Sequence, residues 1–414
     1  MSLASEPFSA SGPSFWRLPE IRRSPAAFRT ALRVTAENWQ GAPLTVVAPS
    51  GHALKVEGSG HGEEVRLEVR DFRFMQRILA SGDVGFAEGF AAGDWDTPNL
   101  PALLEAFSDN FDRLSVLMTG NPLVKAVEFV SHALRRNSRA GSRKNIEAHY
   151  DLGNGFYGAW LDPSMTYSSA LFEQAQMSLE AAQAAKYSAL ARSIGLERSH
   201  TVLEIGCGWG GFAEFAGREI GAKVEAITIS RAQHDFAKQR IFNAGLADRV
   251  NIRLCDYRDV TGQFDRIASI EMFEAVGEAY WPAFFTTVHD RLRPGGAAGL
   301  QIITIADALF DGYRRRPDFI QKYIFPGGML PSMTRLREET QKAGLDWRSD
   351  RGFAQDYAQT LRIWGDRFEA AWPEIQAMGF DDRFRRLWRY YLGYCEAGFR
   401  TGRTDVIHLA LAKL

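Results

Sequence analysis

Two glutamates, Glu271 and Glu274, lie in SIEMFEAVG at the end of the apolar run FDRIASI. The run predicts a buried strand, so both carboxylates are expected near the point where that strand ends. A carboxylate taken out of water needs a cation, a proton or hydrogen-bond donors beside it. The pair therefore indicates a candidate site for proton transfer or for binding a charged ligand.

A glycine-rich turn follows another predicted strand in VLEIGCGWGGFAEFA. The strand ends at Ile205, and a helix is expected to begin near Phe212. Gly206 and Gly208 in the turn let backbone approach a ligand closely. GCGWGG lacks the GxGxxG spacing of nicotinamide-binding folds, and Glu204 precedes the turn. The pattern E/DxGxGxG resembles the first motif of class I S-adenosylmethionine (SAM) methyltransferases, and we favour SAM over a dinucleotide.

The composition excludes several classes of protein. The 414 residues carry 49 basic and 50 acidic side chains, which leaves no overall field to attract nucleic acid. Three cysteines without CxxC spacing predict neither a disulfide framework nor a metal site. No stretch approaches the roughly 18 uninterrupted apolar residues of a spanning helix, and the N-terminus lacks a targeting pattern. We therefore expect a cytoplasmic protein, associated peripherally with the inner face of a membrane.

The chain is long for one core, and its patterning predicts two domains. Residues 1–125 combine short alternating strands with helical stretches, which predicts a small α+β domain for lipid interaction or dimerisation. Residues 1–30 within it are expected to form a loosely ordered lead-in. A basic linker at 126–144 leads to a catalytic domain at 145–414.

The catalytic domain alternates helix and strand patterns from residue 180 onward. Strands such as TVLEIG, KVEAITI and FDRIASI are largely apolar on both faces, with helical patterns between them. Such alternation predicts an α/β fold, a Rossmann-like parallel sheet with helices on both faces. Ligands of such sheets bind beyond the carboxyl ends of the strands, where both candidate sites are expected.

Several separated motifs resemble the cyclopropane-fatty-acyl-phospholipid synthase family. They are NIEAHYDLGNGFYGAWLDPSMTYSSALF, VLEIGCGWGGFAEFA, AITISRAQ, CDYRDV, SIEMFEAVG, QKYIFPGGMLPS and YYLGYCEAGFR. The resemblance covers residues 145–410, and GFAEGFAAGDWD extends it to the N-terminal domain. It implies transfer of a one-carbon unit from SAM to the cis double bond of an acyl chain in an unsaturated phospholipid, through a carbocation.

The resemblance also implies cofactor contacts. The methionine and sulfonium part of SAM is assigned to Tyr167, Ser168 and the loop Gly206, Cys207 and Gly208; the ribose to Thr228 and Gln233, with Ser230 as a further hydroxyl; and the adenine to Asp256 and Tyr257. Glu204 is expected either to contact the cofactor or to cap loop amides, and the two roles are compatible.

Family members that form cyclopropanes are understood to bind bicarbonate as the base, and the resemblance carries this site over by position. Glu274, Tyr323 and Cys395 match it, whereas Ser169 and Gln301 stand where the family commonly has Cys and His. Ser169 suffices if that position donates only its backbone amide.

Gln301 donates a hydrogen bond but does not titrate, which leaves two products and two bases open. The product is a cyclopropane, or a methyl-branched or methylene chain. The base is bicarbonate or a different group. For Glu271 we expect a structural role, in a salt bridge or as a cap.

Basic segments are candidate contacts for phospholipid headgroups. They lie in the linker at 135–144, at Arg314, Arg315 and Arg316, and in the helix RFRRLWRYYLGYCEAGFR, which we expect to face the core. His149 is expected to order a loop. A homodimer, a methyltransferase for another lipid and a non-catalytic lipid-binding module remain alternatives.

Overall fold

The computed structural model describes residues 8, 9, 13–60, 62–114, 117 and 152–414. The chain divides into two compact units. Unit 1 comprises the described parts of Met1–Val130 together with Gly379–Thr401. Unit 2 comprises the described parts of Ser131–Met378 together with Gly402–Leu414.

Unit 1 contains a five-stranded mixed sheet of order β1-β3-β2-β4-β5. Its strands are β1 (Phe8–Ser9), β2 (Leu44–Val47), β3 (Ala53–Val56), β4 (Val65–Val69) and β5 (Trp95–Asp96). Strands β2 and β3 pair antiparallel, and β2 and β4 pair parallel. These strands, with the helices around them, match the α+β pattern expected from the sequence.

The helices of unit 1 are Pro13–Arg17, Pro19–Arg23, Ala26–Asn38, Arg73–Ser81, Asp83–Ala91, Leu100–Asp109 and Asp382–Arg400. The first three lie within or begin in the stretch expected to be loosely ordered, so that expectation is wrong for its described part. Helix Ala26–Asn38 buries Phe28 and Leu32. Apolar residues at that helical spacing supply a packing face that composition alone conceals.

Helix Asp382–Arg400 belongs to unit 1, whereas the sequence placed it within a catalytic domain at 145–414. It buries Trp388 and Tyr391, and the ring of Tyr390 lies 5.8 Å from that of Phe90. As expected, this helix faces a core. Its partners are residues far away in sequence, which is why the boundary could not be predicted from local pattern.

Unit 2 is built on a seven-stranded sheet of order β11-β12-β10-β9-β6-β7-β8. Its strands are β6 (Thr201–Ile205), β7 (Lys223–Thr228), β8 (Val250–Leu254), β9 (Phe264–Ile270), β10 (Leu292–Ile305), β11 (Asp346–Gly352) and β12 (Thr404–Ala412). Strands β6 to β10 are parallel, and β12 is antiparallel to both β10 and β11. The parallel sheet expected from the sequence is confirmed.

The helices of unit 2 are Asn154–Trp160, Leu179–Ser193, Gly211–Phe215, Arg231–Asn243, Trp281–Arg291, Asp307–Tyr313, Phe319–Tyr323, Met333–Lys342, Ala354–Ala370 and Trp372–Ala377. A π-helical turn spans Ala216–Ile220, and 3-10 turns span Tyr257–Asp259, Phe273–Ala275 and Glu278–Tyr280. No helix among the described residues is long and apolar enough to cross a membrane.

Two apolar cores form in unit 2 because neighbouring strand residues point to opposite faces of a sheet. Val202 packs with Leu190 and Ile241 from helices on one face. Leu203, the next residue, packs with Phe284 and other residues of Trp281–Arg291 in a second core. The sheet is therefore covered on both faces, and its polar chemistry is confined to the strand ends.

Strand β9 lies between β6, which leads into the glycine turn, and β10. In this register Gln301 of β10 lies opposite Ile270, the last residue of β9, and opposite His408 of β12. The two glutamates that follow β9 are thereby placed at the centre of the carboxyl edge, where parallel α/β sheets bind ligands.

Candidate functional site

The turn after β6 is closed by backbone hydrogen bonds and by glycines. The amides of Gly206 and Cys207 both donate to the carbonyl of Ile227 on the neighbouring strand, over 3.0 and 2.9 Å. Gly206 has φ of 82°, and a Cβ there would lie 2.5 Å from Cγ of Met272. Only glycine permits this conformation and this close approach, so the loop after β6 lies against the segment after β9.

Glu204 is buried in β6 with one oxygen, Oε2, that has no hydrogen-bond partner among the described residues. The amide of Ala213, in the helix after the turn, donates to this carboxylate, which gives Glu204 the capping role expected for it. Burial raises the pKa of Glu204 to about 8, although the positive charges of Arg240 and Lys186 oppose the rise. A cationic ligand at the turn would supply the missing counter-charge.

Ser168 is held by a fully buried lysine. Lys186 Nζ donates to Ser168 Oγ over 2.7 Å, and Gln183 Nε2 donates to the Ser168 carbonyl over 2.9 Å. Burial lowers the pKa of Lys186 to about 7, while the negative charges of Glu271, Asp162 and Glu204 act in the opposite direction. Lys186 is thus a buried, titratable group coupled electrostatically to Glu204 at the turn and to Glu271.

Tyr167 lies in an aromatic cluster. Its ring centroid is 5.4 Å from those of Tyr157 and Trp364, 5.7 Å from that of Trp160 and 6.4 Å from that of Phe325. Aromatic faces attract cations and exclude water. The cluster places such a surface directly before Ser168 in the chain.

Thr228, Ser230 and Gln233, the three residues assigned to the ribose side, form one buried hydrogen-bonded group. Thr228 Oγ1 donates to Gln233 Oε1 over 2.9 Å, and the Ser230 amide donates to Thr228 Oγ1 over 3.2 Å. Ser230 also caps helix Arg231–Asn243 through the amide of Gln233, over 3.3 Å. The group is preorganised at the carboxyl end of β7.

Asp256 and Tyr257 follow β8, as expected. Asp256 accepts hydrogen bonds from the backbone and from the guanidinium of Arg258, the shortest of them 2.6 Å long. The Tyr257 ring lies 5.6 Å from that of Phe284, and burial raises its pKa to about 12. In this structure, therefore, the carboxylate expected to face adenine is oriented by Arg258.

Glu271 accepts hydrogen bonds from three separate segments. The Ser169 amide and Gln301 Nε2 donate to Oε1 over 2.8 and 2.7 Å, and the Tyr357 hydroxyl donates to Oε2 over 2.6 Å. Burial raises the pKa of Glu271, whereas these donors and the charge of Lys186 lower it. The carboxylate therefore caps the Ser169 amide and is also the centre of a hydrogen-bond network.

That network extends to a buried histidine. His408 Nε2 donates to Gln301 Oε1 over 2.9 Å, which leaves the Gln301 amide nitrogen to face Glu271. Burial, reinforced by the charges of Lys186 and Arg351, lowers the pKa of His408 to about 3, so this ring is neutral. The imidazole that is missing at position 301 is present one strand away.

Glu274 accepts fewer hydrogen bonds than Glu271 among the described residues. The Ile303 amide donates to Oε1 over 2.5 Å, whereas Oε2 is buried without a hydrogen-bond partner among the described residues. Burial and the neighbouring charge of Glu271 raise the pKa of Glu274 to about 8. Glu274 is therefore largely protonated at neutral pH.

The other residues expected at the anion site are Ser169, Tyr323 and Cys395, and they lie in three separate segments of the chain. The Ser169 backbone amide donates to Glu271, while its hydroxyl donates to the carbonyl of Ala170. Tyr323 ends helix Phe319–Tyr323, and the segment that follows it returns to Glu274, where the Met329 amide donates to the Glu274 carbonyl over 2.8 Å. Cys395 lies in unit 1, and its role stays a prediction.

Sequence reasoning missed Lys186, Tyr357 and His408. A signal for Lys186 was present, because it shares a helix face with Leu179, Ala182 and Leu190, all of them buried. Lysine is almost never fully buried unless it is paired, so a lysine on the apolar face of a helix indicates a buried polar partner. His408 and Tyr357 carried no such signal, because their partners are set by strand order and helix packing.

The basic segments have mixed roles. Arg386 makes its contacts within unit 1, where it forms an ion pair with Asp96 over 3.1 Å and donates to the Trp95 carbonyl. Arg314 pairs with Glu278 over 2.7 Å, while Arg315 and Arg316 are exposed. The linker at 135–144 and His149 lie outside the described residues. Within the described residues no cluster of His, Cys, Asp and Glu is arranged to hold a metal ion.

Known proteins are similar to this chain over most of its length. Residues 137–409 match the model of a family described as mycolic acid cyclopropane synthetase. The chain is 37% identical over 406 residues to the tuberculostearic acid methyltransferase UfaA1 of Mycobacterium tuberculosis, covering 96% of this chain and 93% of that one. It is 35% identical over 376 residues to the cyclopropane-fatty-acyl-phospholipid synthase of Escherichia coli K12, covering 89% and 91%.

A solved structure shares the fold of about two thirds of the chain. The mycolic acid cyclopropane synthase CmaA1, complexed with SAH and CTAB, aligns with a TM-score of 0.62 at 30% identity. The alignment covers 66% of this chain and 98% of that one. The sheet of unit 2 is therefore that of class I SAM methyltransferases, and the glycine turn after β6 corresponds to the feature that suggested SAM from sequence.

Proposed function

Because the chain belongs to the mycolic acid cyclopropane synthetase family and is a SAM-dependent methyltransferase that modifies lipid acyl chains, we propose that it transfers a one-carbon unit to the cis double bond of a phospholipid acyl chain. One observation carries the proposal: two buried glutamates, each accepting a hydrogen bond from a backbone amide, lie at the carboxyl edge of the sheet beside the glycine turn. Electrophilic attack on an alkene must end in proton loss, and such a pair is suited to receive a proton.

The residues at the turn fit SAM. SAM, when bound, supplies a methyl group activated by a positively charged sulfur. Glu204 offers a buried carboxylate oxygen that has no hydrogen-bond partner among the described residues, and none of these residues lies within 4 Å of where a Cβ on Gly208 would be, which leaves that stretch of backbone open to a ligand. Ser168, fixed by Lys186, and the Thr228 group supply hydroxyls and amides for the polar parts.

The rest of the site has to align a poor nucleophile and exclude water. The aromatic cluster around Tyr167 gives apolar walls for an acyl chain and faces that stabilise a carbocation on it. Holding the double bond in line with the methyl donor contributes much of the rate enhancement, because positioning lowers the entropic barrier.

Access to the bilayer is a further part of the proposal. Arg315 and Arg316 are exposed beside the partly buried Tyr313, and they precede the segment that returns to Glu274. This arrangement suits a contact with anionic headgroups next to the acyl entrance. Lipid interaction or dimerisation through residues 1–125, and peripheral association with the cytoplasmic face of the membrane, remain proposals of the same kind.

The product depends on which proton leaves. Loss from the transferred carbon closes a cyclopropane, and loss from a neighbouring chain carbon gives a methyl-branched or methylene chain. The titratable histidine of the expected anion site is replaced by Gln301, and His408 behind it is neutral. Because the groups that could carry the proton differ in this way, the methyl-branched and methylene products should be sought as well as the cyclopropane.

Purified protein is incubated with SAM and vesicles of phosphatidylglycerol with cis-monounsaturated chains, with fully saturated vesicles as the matched control. The released acyl chains are analysed by mass spectrometry and proton NMR. We expect a gain of one carbon in unsaturated chains alone, and the NMR spectrum separates ring methylene protons from vinylic ones. Transfer to both vesicle types, or to neither, would contradict the proposal.

A further inference from the structure

Glu271 is fixed more firmly than a structural carboxylate at a strand end requires. Its donors are the Ser169 amide, the Gln301 amide nitrogen and the Tyr357 hydroxyl, all within 2.8 Å. Hydrogen bonds to an ionised group are short and directional, so three of them from three segments set both the position and the rotation of the carboxylate. Preorganisation of this kind is typical of a reacting group.

The backbone of Glu271 is also in an uncommon conformation. Its φ is 46°, in the left-handed region that favours glycine, and its amide donates to the Gln301 carbonyl over 2.9 Å. Such a conformation costs roughly 1–3 kcal/mol for a side chain other than glycine or asparagine and is concentrated at functional sites. A glycine would relieve this cost, yet the position holds a charged side chain.

The location is central to the site. Glu271 directly follows β9, the strand between the glycine-turn strand β6 and the Gln301 strand β10. Met272, the next residue, lies against Gly206 of the turn. A carboxylate here lies beside the glycine turn, at the edge where such sheets bind ligands.

Ser169 and Gln301 are two of the positions expected to hold a bicarbonate ion, and in this chain both donate to Glu271. A side-chain carboxylate and a bicarbonate present the same pair of oxygens to such donors. Resting on the proposed function, we propose that the Glu271 carboxylate takes the place of bicarbonate and is the general base of this enzyme.

The proton step balances without a co-reactant. A carbon next to the cationic centre, or the transferred carbon, releases its proton to a Glu271 oxygen. The electron pair of the broken carbon–hydrogen bond becomes the π bond of an alkene or the closing bond of a ring. Glu271 becomes a neutral acid, and its proton passes to water after the product leaves.

The surroundings of the two glutamates favour different roles, with Glu271 as the base and Glu274 as the proton carrier. Burial raises the pKa of Glu271, whereas its three hydrogen-bond donors and the nearby Lys186 favour its ionised form. Glu274 holds the proton of the pair, because burial and the charge of Glu271 raise its pKa to about 8. Environments that separate two neighbouring carboxyls in this way assign one of them as base and the other as proton carrier.

The test compares the wild-type protein with Glu271→Gly and Glu271→Gln in bicarbonate-depleted and bicarbonate-supplemented buffer. Glycine suits the backbone at this position and opens a space, whereas glutamine fills the space without a basic oxygen. We expect wild-type transfer to be independent of bicarbonate. Both variants should lose at least about 100-fold in rate, and added bicarbonate or formate should restore Glu271→Gly alone.

A binding measurement accompanies the rates. In ¹³C NMR of labelled bicarbonate without SAM or lipid, we expect saturable binding to Glu271→Gly and none to the wild-type protein or to Glu271→Gln. SAM affinity, measured by calorimetry, should stay within about threefold in Glu271→Gln, which also shows that this variant is folded.

The inference is overturned if wild-type transfer requires added bicarbonate, if either variant retains its rate in depleted buffer, or if Glu271→Gly neither binds nor responds to the anion. In the first two cases lipid transfer itself is observed, so the proposed function stands. Absence of transfer by the wild-type protein under every buffer condition contradicts the proposed function instead.

Discussion

His408 and Gln301 lie opposite each other on antiparallel strands, and the imidazole donates to the Gln301 amide oxygen over 2.9 Å. This bond decides which end of the amide faces Glu271. A glutamine whose oxygen is engaged presents its nitrogen, a donor, to the carboxylate on the other side. His408 is thus a positioning residue that acts through Gln301.

His408→Leu should impair both stability and turnover, because it leaves the buried Gln301 oxygen without a donor. We expect the free energy of unfolding to fall by about 1–3 kcal/mol in urea titrations. The transfer rate should fall with little change in substrate KM. His408→Gln, which retains a side-chain donor, should recover most of both losses, and equal losses in the two variants would argue against positioning.

The same residue predicts a pH dependence of stability. Burial lowers the pKa of His408 to about 3, from an ordinary 6.5 in the unfolded chain. Between these values the unfolded state binds a proton that the folded state does not, so stability falls as pH drops from 6.5 towards 3. Urea titrations should show that acid lowers the stability of His408→Gln less than it lowers the stability of the wild-type protein.

Glu274→Gln should abolish transfer while SAM affinity, measured by calorimetry, stays nearly intact. The carboxyl is the proton carrier of the pair and is not assigned to the cofactor. Tenfold weaker binding of SAM would instead place Glu274 in the cofactor site.

Stability gives an independent readout of Glu274. Its pKa is raised from 4.5 to about 8, so the folded state binds more protons than the unfolded state between those values. The Glu274 contribution is fully present below pH 4.5 and is lost as pH rises through 8. Glu274→Gln should remove up to about 1.4 kcal/mol per pH unit from this decline. The exposed substitution Glu219→Gln should leave the decline unchanged.

SAM binding should release protons through Glu204. Burial raises the pKa of this carboxyl to about 8, so it is largely protonated at pH 7, and a cationic ligand favours its ionised form. Calorimetry in buffers with different ionisation enthalpies measures the number released. We expect a fraction approaching one proton for the wild-type protein and close to none for Glu204→Gln, whereas equal release from both would place the titrating group elsewhere.

Lys186→Met should weaken SAM binding by roughly 5- to 30-fold, because Ser168 loses the donor that orients it. Direct calorimetric titration with SAM checks this, with Lys238→Met on an exposed helix surface as the control. Unchanged affinity in Lys186→Met would remove Ser168 from the set of cofactor contacts.

The sheet of unit 2 was predictable because its signals are local. Apolar strands, the helical patterns between them and the glycine turn each occupy fewer than about twenty consecutive residues. The site was predictable only in part. Residues at strand ends, such as Glu204, Thr228 and Glu274, could be placed at one edge from the topology rule alone.

What remained hidden depends on contacts between distant segments. The donors to Glu271 are 102, 30 and 86 residues away in the chain. The register that brings His408 to Gln301 is fixed by pairing of β12 with β10, which no local pattern encodes. For the same reason a glutamate expected to be structural emerged as the centre of the network.

The most direct test of the account uses SAM labelled with ¹³C in its methyl group and vesicles of an unsaturated phospholipid. NMR of the intact extracted lipid locates the labelled carbon. We predict that the label is found within the acyl chain, on a carbon of the former double bond or bridging both of its carbons. Label on the headgroup or on a soluble small molecule, with none in the acyl chain, would contradict the account.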